Sequence, residues 1–210
     1  RGWDVFDGPE SGERSGQVAV QRALDWLPED RPSLLWVHVY EPHGPYEGRG
    51  ATERERYGEE VQRADAVLAP LLKKLRSRGA RIVITADHGE GLGDGGEQTH
   101  GFLLHDSTMH IPLIIKGPGV KEGMVYDDPV GLVDVAPTTL NLAGLKLNPE
   151  IQGKDAFLGG SDRVYSEALT AKFNLGLKPL HAYTEEEGRY MEGHWGAYYN
   201  FEDKAITTVP

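Results

Sequence analysis

Cysteine is absent from all 210 residues, which removes a disulfide framework, a thiolate metal site and a cysteine nucleophile from this stretch of chain. Long apolar runs are missing as well. None approaches the roughly 18 residues of a membrane-spanning helix, and no signal-peptide pattern opens the sequence. Positive charge is scarce: 22 Lys and Arg face 33 Asp and Glu, a formal net charge of −11. That balance argues against a broad nucleic-acid-binding face, because the phosphate backbone rewards clustered cations. It leaves room for an anionic small substrate, since one metal ion or one local cation can dominate the field of a pocket. The remaining composition is that of an ordinary globular protein, 39% hydrophobic and 26% charged with 27 Gly and 13 Pro. It suffices for one core, or for one domain with a small annex. The chain opens at Arg1-Gly2-Trp3 without Met, and the expectation is a piece of a longer protein whose front is absent.

Hydrophobic periodicity supplies the elements. Val18, Ala19, Leu24 and Trp26 predict a helix from about Ser15 to Leu27, capped by Ser11 or Ser15 and ended by Pro28. Leu34-Leu35-Trp36-Val37-His38-Val39-Tyr40 is a nearly continuous apolar run, the pattern of a buried parallel strand. It leads into Glu41-Pro42-His43-Gly44-Pro45-Tyr46, a loop stiffened by two prolines. Tyr57, Val61, Ala64, Leu68, Leu71, Leu72 and Leu75 recur at three- and four-residue steps, so a long helix is predicted over 53–78, with Gly79 as its stop. The glutamates of 53–60 read as its solvated face, while Asp65 borders the apolar stripe. Strands are predicted at 82–86 and 111–116, and a short helix over 133–142 ended by Gly144. Helix alternating with strand predicts an α/β fold with a mainly parallel sheet flanked by helices. After Gly144 the runs at 163–168, 179–183, 189–192 and 197–201 are short and separated by polar or glycine breaks. They predict a small antiparallel annex. The expected division is 1–145 and 146–210.

The chemistry gathers after the strand Ile82-Val83-Ile84-Thr85-Ala86, which delivers Asp87-His88 to its C-terminal edge and breaks into Gly89. Open α/β sheets place ligand and metal sites at such edges. A carboxylate beside an imidazole suits a divalent cation that tolerates nitrogen. The alternative is an Asp that caps the next turn beside an exposed His. His43, held between prolines, suits a general acid or a leaving-group contact; otherwise it is a histidine of a surface turn. His100, flanked by glycine, suits an anion contact or is a solvated loop residue. His38 points either into the core or toward the same site. His105 and His110 are assigned to packing or surface. The glycines from Gly89 to Gly101 allow a flexible loop, and no Walker-type phosphate-loop spacing occurs among them.

With these residues in view, the chain resembles a sulfatase of the alkaline-phosphatase superfamily. The likeness rests on stretches in a fixed order: Trp36-Val37-His38 through Pro42-His43-Gly44-Pro45-Tyr46; Tyr57 through Asp65 to Leu68; Thr85-Ala86-Asp87-His88-Gly89-Glu90 through Glu97 and His100-Gly101; Ile111-Pro112-Leu113 to Gly117-Pro118-Gly119. Val133-Asp134-Val135-Ala136-Pro137-Thr138 to Gly144 resembles the helix that follows in such proteins. The likeness covers most of residues 1–168. It implies an alkaline-phosphatase-like fold, incomplete here, and a metal-dependent hydrolase of sulfate esters. Asp87 and His88 would be metal ligands, His43 would contact the sulfate or protonate the leaving oxygen, and His100 would bind the same group. The implied ion is Ca2+, or Mn2+ or Zn2+ if the chemistry is phosphoryl transfer. The implied substrate is a small-molecule or glycan sulfate ester, and the implied location periplasmic or extracellular.

The chain also departs from that family's pattern. In sulfatases the nucleophile is a formylglycine made within Cys/Ser-x-Pro-x-Arg, and no such motif occurs here; nor does the N-terminal pair of aspartates. Asp4 and Asp7 lie in a different context, resembling a Phe-Asp stretch well after the nucleophile. Glu41 stands where relatives often carry Asp, and Gly95 where a His is common after Gly-Asp. The expectation is a later part of the catalytic domain, holding two metal ligands and inactive alone. Two rivals remain open: a phosphodiesterase, phosphonate hydrolase or phosphoethanolamine transferase of the same superfamily, and a non-catalytic binding domain that kept the fold.

Overall fold

The computed structural model describes residues 3–159, 163–176, 178–185, 188–192, 197–200 and 205–208, with side chains described through residue 184. The chain divides into two compact units, Arg1–Ala80 and Arg81–Pro210.

The first unit is built on two helices. α1 spans Gly16–Trp26 and α2 spans Glu53–Ser77. α2 starts in a capping box: the Thr52 hydroxyl accepts from the Glu55 N–H at 3.2 Å, and the Glu55 carboxylate accepts from the Thr52 N–H at 2.9 Å. Val20 and Ala23 of α1 and Leu71 of α2 are buried together, with Leu35, Val37, Val39, Leu68 and Leu75 packed against them. The expected solvated glutamate face of α2 needs correction. Glu60 is only 4% exposed; it pairs with Arg63 at 3.0 Å and accepts from the Glu47 N–H at 3.3 Å. Glu59 accepts from the Arg49 N–H at 2.5 Å. These carboxylates tie the 47–49 segment to the helix, because backbone donors outside regular structure must find partners. Asp65 is exposed.

The predicted strand at 34–40 is the second correction. The segment has no strand pairing among the described residues. It does alternate as a strand would, with Leu35, Val37 and Val39 turned toward the helices and Leu34, Trp36 and His38 exposed. Periodicity reports which face is buried; a ladder also needs a neighbour.

The second unit holds two sheets. β1 (Ile82–Thr85) and β2 (Leu113–Lys116) form a two-stranded antiparallel pair, Ile82 facing Lys116 and Thr85 facing Leu113. Between them lies α3, a single turn over Asp106–Met109. A 3₁₀ turn at Leu132–Asp134 leads into α4, Val135–Leu142. The annex is the predicted antiparallel meander, β3 (Val164–Ala168), β4 (Leu180–Glu185), β5 (Gly188–Glu192), β6 (Ala197–Asn200) and β7 (Ala205–Thr208), each strand beside the next. The sequence reading did not foresee β7, nor the six-residue α5, Thr170–Leu175, between β3 and β4. Phe201, placed in the last predicted run, lies outside the described residues. Pairing among the described strands is antiparallel throughout, so the expected parallel sheet is not among them. Leu104, Ala168, Leu180 and Ala182 form this unit's buried apolar cluster.

A polar knot anchors α4. Asp134 is fully buried. Its carboxylate accepts the Gly131 N–H at 2.9 Å and the Lys154 N–H at 2.7 Å, while the Thr138 hydroxyl accepts the Ala156 N–H at 2.9 Å. Gly153 has to be glycine for this approach, because a Cβ there would lie 2.3 Å from the Val133 carbonyl oxygen. Asp134→Ala strips the Gly131 and Lys154 N–H groups of their acceptor, the first of them in a buried bond, and the expected loss is roughly 1–3 kcal/mol in urea unfolding.

On β3 and β4 the Tyr165 hydroxyl donates to Glu167 at 2.7 Å and lies 2.5 Å from Nδ1 of His181. The hydrogen bond to Glu167 pushes the Tyr165 phenol up to about 12. A raised phenol pKa means the fold favours the protonated form. Its stabilising contribution is present below the ordinary tyrosine value and is lost as pH rises through about 12. Ultraviolet titration of Glu167→Gln should show this tyrosine ionising closer to about 10.

Candidate active site

Two parts of the chain carry the candidate residues. In the first unit, His43 lies in the loop after Leu34–Tyr40. That loop is fastened to the start of α1. Ser15 offers α1 no side-chain cap; instead both carboxylate oxygens of Glu41 accept the Gly16 N–H, each at 3.0 Å. A carboxylate at a helix N-terminus meets both an orphan donor and the positive end of the macrodipole. A Cβ on Gly16 would meet Val39 at 2.7 Å and Glu41 at 2.8 Å, so the close approach requires glycine. Tyr40 adds a hydrogen bond to Glu13, which raises its phenol pKa. The His43 ring lies 4.4 Å from the Tyr40 ring, and its Nδ1 is 2.7 Å from the Gly44 carbonyl oxygen. A carbonyl can only accept, so Nδ1 carries the proton of that bond and Nε2 is the atom turned to other partners. His38 is exposed on the segment leading into this loop.

In the second unit, β1 ends at Thr85 and the chain turns through Asp87 and His88. Oδ1 of Asp87 accepts the His88 N–H at 3.0 Å, which sets the carboxylate across its own turn. Nδ1 of His88 lies 2.9 Å from the Gly89 carbonyl oxygen, so its proton is committed there. Oδ2 of Asp87 and Nε2 of His88 stand 3.7 Å apart. Nε2 then carries a lone pair in the neutral ring, the tautomer a metal ligand needs. The donor chemistry fits a divalent ion, but as two donors only. Among the described residues no group of three or more His, Asp or Glu side chains converges to hold a metal.

Beyond the pair, the glycine-rich stretch is a closed turn and not the flexible loop its composition allows. The N–H groups of Gly91, Leu92 and Gly93 donate to the carbonyls of Thr99, Gln98 and Glu97 at 2.7, 3.1 and 2.9 Å. Gly89 and Glu90 donate to Thr108 and Ser107 at 2.8 and 2.9 Å, docking α3. Glu97, buried at 6% exposure, accepts the N–H groups of Phe102 and Leu103 at 2.7 and 3.1 Å. The turn therefore brings His100 back onto His88, the ring centroids 3.9 Å apart. Sequence reasoning named Asp87, His88 and His100 but missed Glu90, whose side chain is 9% exposed and lies 3.3 Å from His100. Its only signal was a glutamate two residues past a suspected ligand. Gly95 has φ +61°, and a Cβ there would lie 2.1 Å from Nε2 of His105, so His105 occupies the space beside Gly95. His105 also precedes the first turn of α3, and His110 is exposed.

The sulfatase family model matches residues 3–145. Human arylsulfatase K is 27% identical, over 95% of this chain and 42% of its own length. The bovine arylsulfatase K is 31% identical, over 77% of this chain and 34% of its own length. The chain thus spans less than half the length of these relatives. Among solved structures, a phosphonate monoester hydrolase from Silicibacter pomeroyi superposes with TM-score 0.60 at 22% identity, over 73% of this chain and 35% of the other. A 2-O GAG sulfatase superposes with TM-score 0.58 at 21% identity, over 72% and 36%. These neighbours carry the alkaline-phosphatase-like sulfatase fold, and the likeness is one of fold.

The turn's dependence on bare backbone is measurable. A Cβ on Gly89 would lie 2.1 Å from the Ser107 carbonyl oxygen. Gly89→Ala should therefore cost on the order of 1–3 kcal/mol in thermal unfolding and expose the Glu90 amide to hydrogen exchange. Gly58→Ala, in open space on α2, should stabilise by roughly 0.5–1 kcal/mol.

Proposed function

This chain belongs to the sulfatase family, and from that premise we propose that the protein carrying it is a metal-dependent hydrolase of sulfate esters. The observation that supports this most is the convergence of Asp87, His88 and His100 at the end of β1, with Oδ2 and Nε2 of the first two 3.7 Å apart. Members of this family generally use a divalent metal, and Asp87 Oδ2 and His88 Nε2 would hold it here. When bound, such an ion supplies positive charge that polarises the ester. Ca2+ is the proposed ion, with Mn2+ or Zn2+ accompanying phosphoryl chemistry. His100 contacts the anionic group. His43 acts in its imidazolium form: Nδ1–H stays on the Gly44 carbonyl, and the second proton, on Nε2, passes to the ester oxygen as the S–O bond breaks, so the alcohol leaves neutral. The nucleophile and further metal ligands come from parts of the relatives' length that this chain does not span. The 210-residue chain is accordingly proposed to be inactive alone.

The same coverage supports the finer fold reading. Leu34–Tyr40 buries one face and exposes Leu34 at 65% and Trp36 at 71%, as an inner strand of a parallel sheet would before its neighbours are in place. We place the catalytic part at 1–145, where the family match ends, and the antiparallel annex after it. The substrate is a small-molecule or glycan sulfate ester, and the site of action periplasmic or extracellular. No helix among the described residues is long and apolar enough to cross a membrane.

The fold likeness to a phosphonate monoester hydrolase keeps one rival in view, and parallel assays separate the two. A form of the protein extended to the relatives' length should hydrolyse an aryl sulfate faster than an aryl phosphonate, and lose about 100-fold or more on Asp87→Asn or on chelation. Faster phosphonate turnover would favour the rival. Calorimetry showing no divalent-ion binding, with Asp87→Asn silent in activity and stability, would sink both in favour of a binding domain. Aryl sulfate hydrolysis by the 210-residue chain, abolished in His43→Ala, would refute its inactivity alone.

A further inference from the structure

Glu90 lies, with little of its side chain exposed, beside a site that its sequence neighbours were expected to form without it. Its backbone is pinned, the N–H donating to the Ser107 carbonyl at 2.9 Å. Its Oε1 accepts the Gly91 N–H at 3.2 Å and lies 3.3 Å from Nδ1 of His100. The carboxylate side chain is 9% exposed and the imidazole 32%. His100 in turn lies against His88, centroids 3.9 Å apart and rings inclined by 31°.

We propose that Glu90 is the positioning residue for His100: its carboxylate accepts Nδ1–H, fixes the ring against His88, and assigns exchange with substrate to Nε2. The chemistry of the pair compels the assignment. An ionised carboxylate can only accept, so the proton of the bond belongs to His100 Nδ1 whether the ring is neutral or charged. The low exposure of Glu90 shields that bond from competing water and strengthens it. A ring held at one nitrogen and packed against another ring has little rotational freedom left, and that preorganisation is what a substrate contact requires. The role does not extend to bond making or breaking, and its catalytic value rests on the sulfatase reading above. The tautomer itself does not.

The closing experiment separates the two. Long-range 1H–15N correlation spectra of the 210-residue chain, well above the ordinary imidazole pKa of about 6.5, report which nitrogen of His100 carries the proton. His100→Ala assigns the signal. The expected result is an Nδ1–H ring in the native chain and a shift toward Nε2–H in Glu90→Ala. An Nε2–H ring in the native chain, or no change in a folded Glu90→Ala, would overturn the proposal. If Glu90→Ala does not fold, the native tautomer alone decides. In the extended, active protein, Glu90→Ala and His100→Ala should each lower kcat/KM by about 10- to 100-fold, and the double variant should lose little more. Divalent-ion affinity by calorimetry should stay within about threefold. Additive losses would overturn the positioning role; correct tautomers without any sulfatase activity would instead refute the function proposed for the site.

Discussion

The backbone between Gly89 and Gly93 lies within hydrogen-bonding distance of two other stretches, and the part of the candidate site after β1 depends on that closeness. Gly89 and Glu90 donate to the carbonyls of Thr108 and Ser107, while Gly91, Leu92 and Gly93 pair with Thr99, Gln98 and Glu97. A Cβ at Gly91 would sit 2.4 Å from the Glu97 carbonyl oxygen, so neither approach tolerates a side chain. The glycines here act through absence of bulk, because the paired backbone leaves them little freedom to move. From that turn follow the return of His100 onto His88, the placing of Glu90 beside it and the docking of α3.

Carboxylates recur as the means by which this chain secures irregular backbone. Glu41 closes the N-terminus of α1, Glu60 and Glu59 hold the segment before α2, Glu97 holds the chain past His100, and Asp134 joins α4 to residue 154. Each accepts one or more N–H groups that no helix or ladder satisfies. With 33 acidic residues against 22 basic ones, some of the chain's carboxylates thus serve backbone donors.

α1, α2, β1 and β2 were legible because each has an apolar stripe or run bounded by Pro or Gly. Leu34–Tyr40 shows the right alternation without a ladder, since burial of one face can be read along the chain and pairing cannot. The glutamates of α2 looked solvated because composition does not say which loop will cross above them. At the site, Asp87, His88 and His100 were nameable from residue type and context, whereas Glu90 was not, since nothing in a Gly-Glu-Gly triplet says where its carboxylate will point.

What the sequence by itself determined is therefore chemical and local. It set the helix and strand stretches, the absence of a thiol, the carboxylate–imidazole pair after β1, and the ordered stretches that carry the resemblance to sulfatases. The tautomers of His43 and His88 follow from the carbonyl of the next residue in each case, Gly44 and Gly89, once the local backbone turns it toward the ring. Tertiary structure alone decided the packing of His100 against His88 and the use of Glu90 as its anchor. The physical reason is that these depend on groups ten or more residues apart being brought close by folding. Hydrogen bonds act over about 3 Å, a distance no linear pattern encodes.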